Sequence, residues 1–572
     1  MSRPPAGRLA ALFLAMTFAF AAIFVRLAFL QVSSQAAELQ DRALDQRVRT
    51  VALPADRGQI LDRDGDRLAL STPAVDVYAD PRFVTDAWTT ASRLSPLLGV
   101  GVVDLVEDLS AETTFVYLAR QVEPEVADRA RALALSGVGF LDSSKRSYPG
   151  GALAPQVVGF VGIDGDGLAG LELGYQGVLA GVAGERTIEL DPHGQPIAGG
   201  IDVGRRPVAG SSIVTTIDRD LQFQAQTALA ETVAAEGARG GSIIVMDPRT
   251  GEILAMATYP WFDPNAFGDS PAWTYRNRAV TDAFEPGSTN KVITAAAAIQ
   301  EEALPLDERL VVPWTMRVGD YTIHDSHAHA VQRLTLGDVI AESSNIGIVQ
   351  VANRIGSSAM ASYLSRFGLG RPVGVGFPGE AGGIMLPLHE WSDTSLATMA
   401  YGQGIAATPL QMASVFATIA NDGRLVQPRL VKGTVDPEGT FHASPAPAVR
   451  RVISAESAEM VTRMLAYAVE HGTGSNARIP GFQVAGKTGT ARIAAKDRVG
   501  YLEGQYIASF IGFLPAGDPQ VVIAAILDRP AAGYGGLAAA PLFQRVARVC
   551  ITRLGVDTAE RLPLPPHALP VG

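Results

Sequence analysis

Phe284-Glu285-Pro286-Gly287-Ser288-Thr289-Asn290-Lys291 is the stretch on which the reading of this chain turns. Pro286 and Gly287 interrupt whatever precedes them, and the alanine-rich run through Ile299 has the composition of a helix opening at Ser288. Residues three apart on a helix have Cβ atoms about 5–6 Å apart, so Lys291 can reach the Ser288 hydroxyl. A serine is a weak nucleophile until a base takes its proton, and a desolvated lysine can be that base. The helix start also aims backbone N–H groups at developing negative charge. Alone, the spacing has a duller reading of equal weight: a capping serine beside a surface lysine.

Two later stretches change that balance. Ser343-Ser344-Asn345 is weak by itself, because serine and asparagine crowd loops and helix starts. Lys487-Thr488-Gly489-Thr490 is more specific, and it carries one of only five lysines in a chain with 42 arginines. Arginine keeps its proton inside a protein, whereas a buried lysine can lose it. Lysine at 291 and 487 therefore reads as a chemical requirement, one as proton acceptor and the other as a compact point charge. A rival exists, since residues 481–488 match the phosphate-loop pattern GxxxxGK[ST] and residues 243–247 resemble an apolar run ending in a magnesium-binding Asp. A phosphate loop needs a buried strand before its first Gly and a helix after Lys-Thr, but Arg478-Ile479-Pro480 and Gly489 occupy those places. A strand is the better reading, with Gly489 leaving bare backbone beside which a substrate peptide can lie. His324-Asp325-Ser326-His327-Ala328-His329 invites zinc, but the sequence offers no further ligand, so a loop lining the cleft is favoured and no metal or cofactor is expected.

A chain 47% hydrophobic with 59 Gly and 36 Pro has apolar side chains for at least two cores. Its net charge of −11 speaks against nucleic-acid binding, and the lone Cys550 excludes an internal disulfide framework. Arg3 and Arg8 precede an uncharged run over residues 9–25, followed by Arg26 and Leu27-Ala28-Phe29-Leu30. A helix over residues 9–30 is about 33 Å long, enough to cross a bilayer and longer than the apolar part of a signal peptide. The flanking arginines favour a cytoplasmic N-terminus and an exported body. Ser34-Gln35-Ala36, a loose match to a cleavage site, is the competing reading.

Further on, Gln59-Ile60-Leu61 and Leu68-Ala69-Leu70 flank Asp64-Gly65 as a hairpin. A calcium loop over the same acidic residues fails, since its sixth and twelfth places hold Arg67 and Pro73. Helices are expected around 124–136, from Asp218 to about Ala235, after Ser288, and near 408–420, 455–470 and 542–552. Strands are expected over 213–217, 242–246, 253–257, 507–514 and 521–527. Strands at both ends of the unit with helices between them predict an α+β sandwich.

In this order, the three motifs resemble those of class B penicillin-binding proteins, the monofunctional peptidoglycan D,D-transpeptidases. Arg57-Gly58-Gln59-Ile60-Leu61-Asp62-Arg63-Asp64-Gly65, Arg146-Ser147-Tyr148-Pro149, Gly170-Leu171-Glu172, Tyr401-Gly402-Gln403-Gly404 and Thr408-Pro409-Leu410-Gln411 extend the resemblance over nearly the whole length. Arg276-Asn277-Arg278 before the 284–289 stretch is similar to the septal branch, with the elongation branch as the nearest alternative. A membrane-anchored β-lactamase and a catalytically idle divisome scaffold are the more distant ones.

The resemblance implies an α+β architecture. Residues 1–8 would be a cytoplasmic tail, 9–30 a single transmembrane helix and 31–205 an elongated, mostly-β pedestal. Residues 206–556 would form a transpeptidase domain whose antiparallel sheet is flanked by helices, and 557–572 a disordered proline-rich tail. It also implies that Ser288 attacks the bond between two terminal D-alanines with Lys291 as base. Ser343 would pass a proton to the departing D-alanine, helped by the charge on Lys487, and Asn345 would orient the donor. Thr488, Gly489 and Thr490 would bind the donor, with backbone N–H groups of Ser288 and Thr490 as the oxyanion hole. Implied partners are stem peptides, β-lactams, the bacterial cytoplasmic membrane, a SEDS-family glycosyltransferase and other divisome membrane proteins.

Overall fold

Asp218 sets the first long helix of the C-terminal half: its Oδ1 accepts the N–H of Asp220 at 3.1 Å and of Leu221 at 3.0 Å. The structure, a computed structural model, describes residues 6–32, 48–189, 197–495 and 500–565. From Asp218 onward, α1 (Arg219–Ala235) leads into β1 (Gly240–Met246) and β2 (Ile253–Tyr259). Then come α2 (Lys291–Gln300), α3 (Leu336–Glu342), α4 (Asn345–Ile355), α5 (Pro409–Ala420) and α6 (Ala455–His471). The chain closes with β3 (Ala485–Ala494), β4 (Tyr501–Leu514), β5 (Val521–Asp528) and α7 (Gly535–Leu554).

The five strands pair antiparallel in the order β2-β1-β5-β4-β3. Successive side chains on a strand point to opposite faces. On β1, Ile243 and Val245 pack with Leu229 of α1 and Phe543 of α7, while Ile244 and Met246 join Ile293 of α2 and Phe416 of α5. Helices thus cover both faces, which is why all of β1 is buried. The Thr408-Pro409-Leu410-Gln411 block starts α5 as a capping box, with the Gln411 N–H on Thr408 Oγ1 at 3.1 Å and the Thr408 N–H on Gln411 Oε1 at 2.7 Å.

Residues 57–180 belong to the same compact unit. The predicted hairpin forms between Ile60–Leu61 and Arg67–Ala79, and Asp62 Oδ1 closes it by accepting the N–H groups of Asp64 and Asp66 at 2.9 and 2.8 Å. Ile60–Leu61 lies parallel to Ser212–Thr215, which pairs with Val431–Val435, so one sheet joins residues on both sides of the expected boundary at 205/206. Three sequence blocks meet at one point here. Glu172, fully buried, accepts Arg57 Nε at 2.7 Å and Arg146 Nε at 2.8 Å, with the Tyr148 hydroxyl at 3.4 Å.

Several expectations need correction. Within the segment 31–205, the described residues 48–56 and 181–209 group apart from 57–180, which cluster with the C-terminal half. In the first of these groups Val48–Leu53, Gly184–Glu189 and Asp202–Arg205 make a three-stranded sheet. The segment 87–109 holds two unforeseen helices, Ala87–Leu98 and Val102–Leu109, whose apolar residues Leu94 and Leu105 share a small core with Val77 and Leu118. The helix expected to reach 136 ends at Arg131, before positive-φ backbone at Ala134 and Gly137. Helix α7 starts seven residues earlier than expected and carries Pro541 inside it, because Ala538, Ala539 and Leu542 bury against the sheet.

The tail is not free through residue 565. The Leu562 N–H donates to Gln483 Oε1 at 2.8 Å, Gln483 Nε2 donates back to the Leu562 carbonyl at 3.1 Å, and Leu564 packs on the main core. Residues 566–572, and the cleavage-like Ser34-Gln35-Ala36, lie outside the described residues. Among the described residues, one helix is long and apolar enough to cross a membrane, Gly7–Phe29, and none of it is buried. This apolar N-terminal helix is the single-pass membrane anchor of the chain.

Candidate active site

Ser288 lies on a 3-10 turn, Gly287–Asn290, that runs directly into α2. The turn is held from inside: Thr289 Oγ1 donates to the Pro286 carbonyl at 2.8 Å and Asn290 Nδ2 to the Met399 carbonyl at 2.6 Å. Gly287, Thr289 and Asn290 are buried, whereas Ser288 is partly open to solvent. A rigid turn exposing one hydroxyl is what a nucleophile needs. The Tyr401-Gly402-Gln403-Gly404 block supports it from behind. The Gly287 N–H donates to the Gly402 carbonyl at 3.0 Å, and a Cβ on Gly402 would stand 2.2 Å from the Gly287 oxygen.

The Lys291 amine, fully buried, donates to the Ser343 carbonyl at 2.5 Å, Asn345 Oδ1 at 2.8 Å and Ser343 Oγ at 3.3 Å. None of the three contacts is to Ser288, the partner its spacing predicts. A neutral amine has two N–H donors and a lone pair. The longest contact is therefore the one that can reverse, with the Ser343 hydroxyl donating to nitrogen. The site thus brings Lys291, Ser343 and Asn345 together from α2 and the α3–α4 corner.

That corner is strained in the right place. Ser343 ends α3 with φ +64, a left-handed conformation rare for serine, and Ser344 caps α4 through the Gly347 N–H at 2.9 Å. Asp325 holds it. Its buried carboxylate accepts the Ser344 hydroxyl at 2.8 Å, the Ile346 N–H at 3.1 Å, the Asn345 N–H, and His329 Nε2 at 3.1 Å. Asn345 Nδ2 in turn donates to the His324 carbonyl at 3.0 Å. The 324–329 segment therefore builds the site rather than merely lining it. Sequence reading weighed its histidines and passed over its aspartate, because nothing local shows which chain segment a carboxylate will meet.

Lys487 and Thr488 sit within β3, with no loop-to-helix transition after them, so the phosphate-loop reading falls. The strand passes tightly beside the serine turn. A Cβ on Gly489 would lie 2.3 Å from Ser509 Oγ and 3.1 Å from the Pro286 oxygen, so glycine is demanded here by packing. Lys487 Nζ donates to Thr488 Oγ1 at 3.2 Å, Thr488 Oγ1 meets Thr473 Oγ1 at 2.9 Å, and Thr490 Oγ1 accepts the Gly535 N–H at 3.1 Å. Thr473 and Gly535 carried no signal in the sequence, being recruited from α6's end and α7's start.

Both lysines are fully buried. Burial, then the charge on Lys487, pushes Lys291 well below the ordinary lysine value, with Asp325 opposing. Burial brings Lys487 down to about 7. Two ammonium groups side by side are disfavoured in such a place, so a proton on one lysine opposes a proton on the other. Glu285, three residues before Ser288, is pushed up by burial, and its Oε1 accepts the Gly404 N–H at 2.9 Å and the Tyr501 hydroxyl at 3.3 Å.

Asp325→Asn is expected to slow acylation by a penicillin about tenfold to a hundredfold, since a displaced catalytic group typically costs on that order. It should also shift the pH profile. The carboxylate favours the ammonium form of Lys291, so its loss lowers that pKa and moves the acid limb of the acylation rate to lower pH. A uniform loss at every pH would show that Asp325 acts only as a brace.

The penicillin binding protein transpeptidase domain family matches residues 241–548, and the penicillin-binding protein dimerisation domain family matches residues 52–215. The chain belongs to the class B penicillin-binding proteins. It is 37% identical to penicillin-binding protein PbpB of Mycobacterium tuberculosis, over 95% of this chain and 84% of that protein. It is 34% identical to peptidoglycan D,D-transpeptidase FtsI of Escherichia coli K12, over 94% of this chain and 90% of that one. Among solved structures, penicillin-binding protein 3 of M. tuberculosis in complex with aztreonam superposes with a TM-score of 0.72 at 33% identity, covering 90% of this chain and all of that one.

Proposed function

We propose that this chain is a septal peptidoglycan D,D-transpeptidase that works through an acyl-enzyme on Ser288 and is inhibited by β-lactams. The observation that carries the reading is the buried Lys291 amine, pushed toward its neutral form by burial and bonded to Ser343 and Asn345, one helical turn from the partly open Ser288. Lys291 takes the Ser288 proton as Oγ bonds to the carbonyl carbon between two terminal D-alanines. Negative charge then develops on that oxygen, facing the N–H groups of Ser288 and Thr490. As the C–N bond breaks, Ser343, aided by the charge of Lys487, delivers a proton to the departing D-alanine. Asn345 orients the donor, and Thr488 and Thr490 hold its carboxylate along β3. The amine of a second stem peptide then attacks the ester and releases Ser288.

Relatives named as peptidoglycan D,D-transpeptidases support the substrate class. The arginine pattern around the anchor supports a cytoplasmic N-terminus and an extracytoplasmic body. With no glycosyltransferase motif recognised in the sequence, glycan polymerisation would fall to a membrane partner, by resemblance a SEDS-family enzyme meeting the anchor and the 52–215 region among other divisome proteins.

A fluorescent penicillin should form a long-lived covalent adduct, and mass spectrometry should place it on the peptide containing Ser288. Ser288→Ala should abolish it. Rapid turnover of the drug without a trapped adduct would favour hydrolysis of β-lactams over transpeptidation, and no reaction at all would point to an idle scaffold.

A further inference from the structure

Most buried or half-buried arginines of this chain face a carboxylate, as Arg57 and Arg146 face Glu172, Arg120 faces Asp76, and Arg429 faces Glu252. Three do not. Arg366 ends the helix Ser357–Arg366, Arg371 follows in the next loop, and Arg450 comes from the strand Val449–Arg451, paired with Arg424–Val426. Arg371 and Arg450 line a cavity of about 210 Å³ with Gln427, Ser414, Val373 and Leu425.

Among the described residues, no carboxylate forms an ion pair with any of the three. Arg450 Nη1 donates to the Arg366 carbonyl, Arg366 Nη2 to the Val452 carbonyl, and Arg371 Nη2 to the Ser365 carbonyl at 3.4 Å. The acidic groups nearby are already engaged. Glu301 Oε1 accepts the Tyr363 hydroxyl at 2.6 Å, and Glu380 Oε1 the Gly374 N–H at 2.9 Å. Arg366 instead lies over the Tyr363 ring, 4.7 Å from its centroid. Burial, then repulsion from Arg371 and Arg366, pushes Arg450 below the ordinary arginine value. Like charges gathered at one cavity without a counter-charge are costly, and a bound anion removes that cost.

We propose that this cavity, away from the serine site, binds a phosphate group. Guanidinium forks match tetrahedral and planar oxyanions bidentately, and the two that line the cavity, Arg371 and Arg450, favour a dianion over a single carboxylate. The volume is below the roughly 300–1,000 Å³ of pockets for drug-sized ligands, so the site takes a headgroup or a free ion rather than a polymer segment.

The test uses the purified full chain in detergent at constant ionic strength. Inorganic phosphate and glycerol 1-phosphate are titrated in parallel, with binding read by calorimetry and by melting temperature. Saturable binding, weakened about tenfold or more by Arg450→Gln and by Arg371→Gln, is expected, because each removes a charge-assisted hydrogen bond. Arg371 is exposed, so its variant should fold even if the Arg450 one does not. Tighter binding of the ester would mark the ligand as an esterified headgroup, and tighter binding of phosphate a free ion. Fluorescent-penicillin labelling of Ser288 should be unchanged in both variants, which separates this site from the catalytic one. Phosphate no better than chloride, acetate as tight as phosphate, or affinity unchanged in both variants would each overturn the proposal.

Discussion

Lys291→Arg should slow acylation of Ser288 by a β-lactam about 10²–10⁴-fold, the range typical of a lost general base. Arginine preserves charge and much of the length, so a purely electrostatic role would survive the change, but a guanidinium does not accept a proton at neutral pH. The structure sharpens this test. Lys291 is fully buried and depressed toward its neutral form, so arginine also forces a permanent charge into a place already occupied by Lys487. Lys291→Met supplies the control, being apolar and similar in volume, and should fold yet acylate as poorly as the arginine variant. Stopped-flow rates with a fluorescent penicillin, alongside thermal melts of both variants, decide the matter. If either variant acylates within a few-fold of the parent, Lys291 is not the base, and Ser343 with Lys487 becomes the candidate.

Glu172→Ala should cost about 3–5 kcal/mol of stability, because it leaves the guanidiniums of Arg57 and Arg146 buried without a counter-charge. The melting temperature is expected to fall by about 3–5 °C, since the entropy of unfolding grows with the size of the cooperative unit. The effect is one of burial rather than of pairing as such. Replacing all three residues together with apolar ones of similar size should therefore recover much of the loss. Acylation by the molecules that remain folded should be unchanged, since the cluster is made by residues 57, 146 and 172, none of which supplies a site hydrogen bond. A single mutant as stable as the parent would mean that water reaches the two arginines.

Local chemistry was legible in the sequence wherever one short stretch carries it. The Pro-Gly break before Ser288, the cap at Asp218, the Asp-Gly hairpin and the apolar strands 242–246 and 253–257 all form where residue type and spacing place them. The candidates for the reacting groups were legible too, because a chain that otherwise meets its need for charge with arginine keeps lysine at 291 and 487. Regular period and turn chemistry act within a few residues, and that range is what a sequence displays.

Tertiary structure alone decided how those groups are used. Lys291 hydrogen-bonds Ser343 and Asn345 because the α3–α4 corner arrives there, and Asp325 braces that corner from 20 residues upstream of Asn345. Gly489 is glycine because Ser509 and the serine turn crowd it from other elements. Three blocks that looked unrelated along the chain prove to be one ion cluster around Glu172, and a tail that composition would leave free is held by Gln483. By itself the sequence determined most of the local elements and which groups are chemically able to react, through propensity, capping and side-chain chemistry. Only the packed structure determined burial, and burial is what lowers a lysine's pKa, gives a carboxylate its partners and sets which hydroxyl stays open to a substrate.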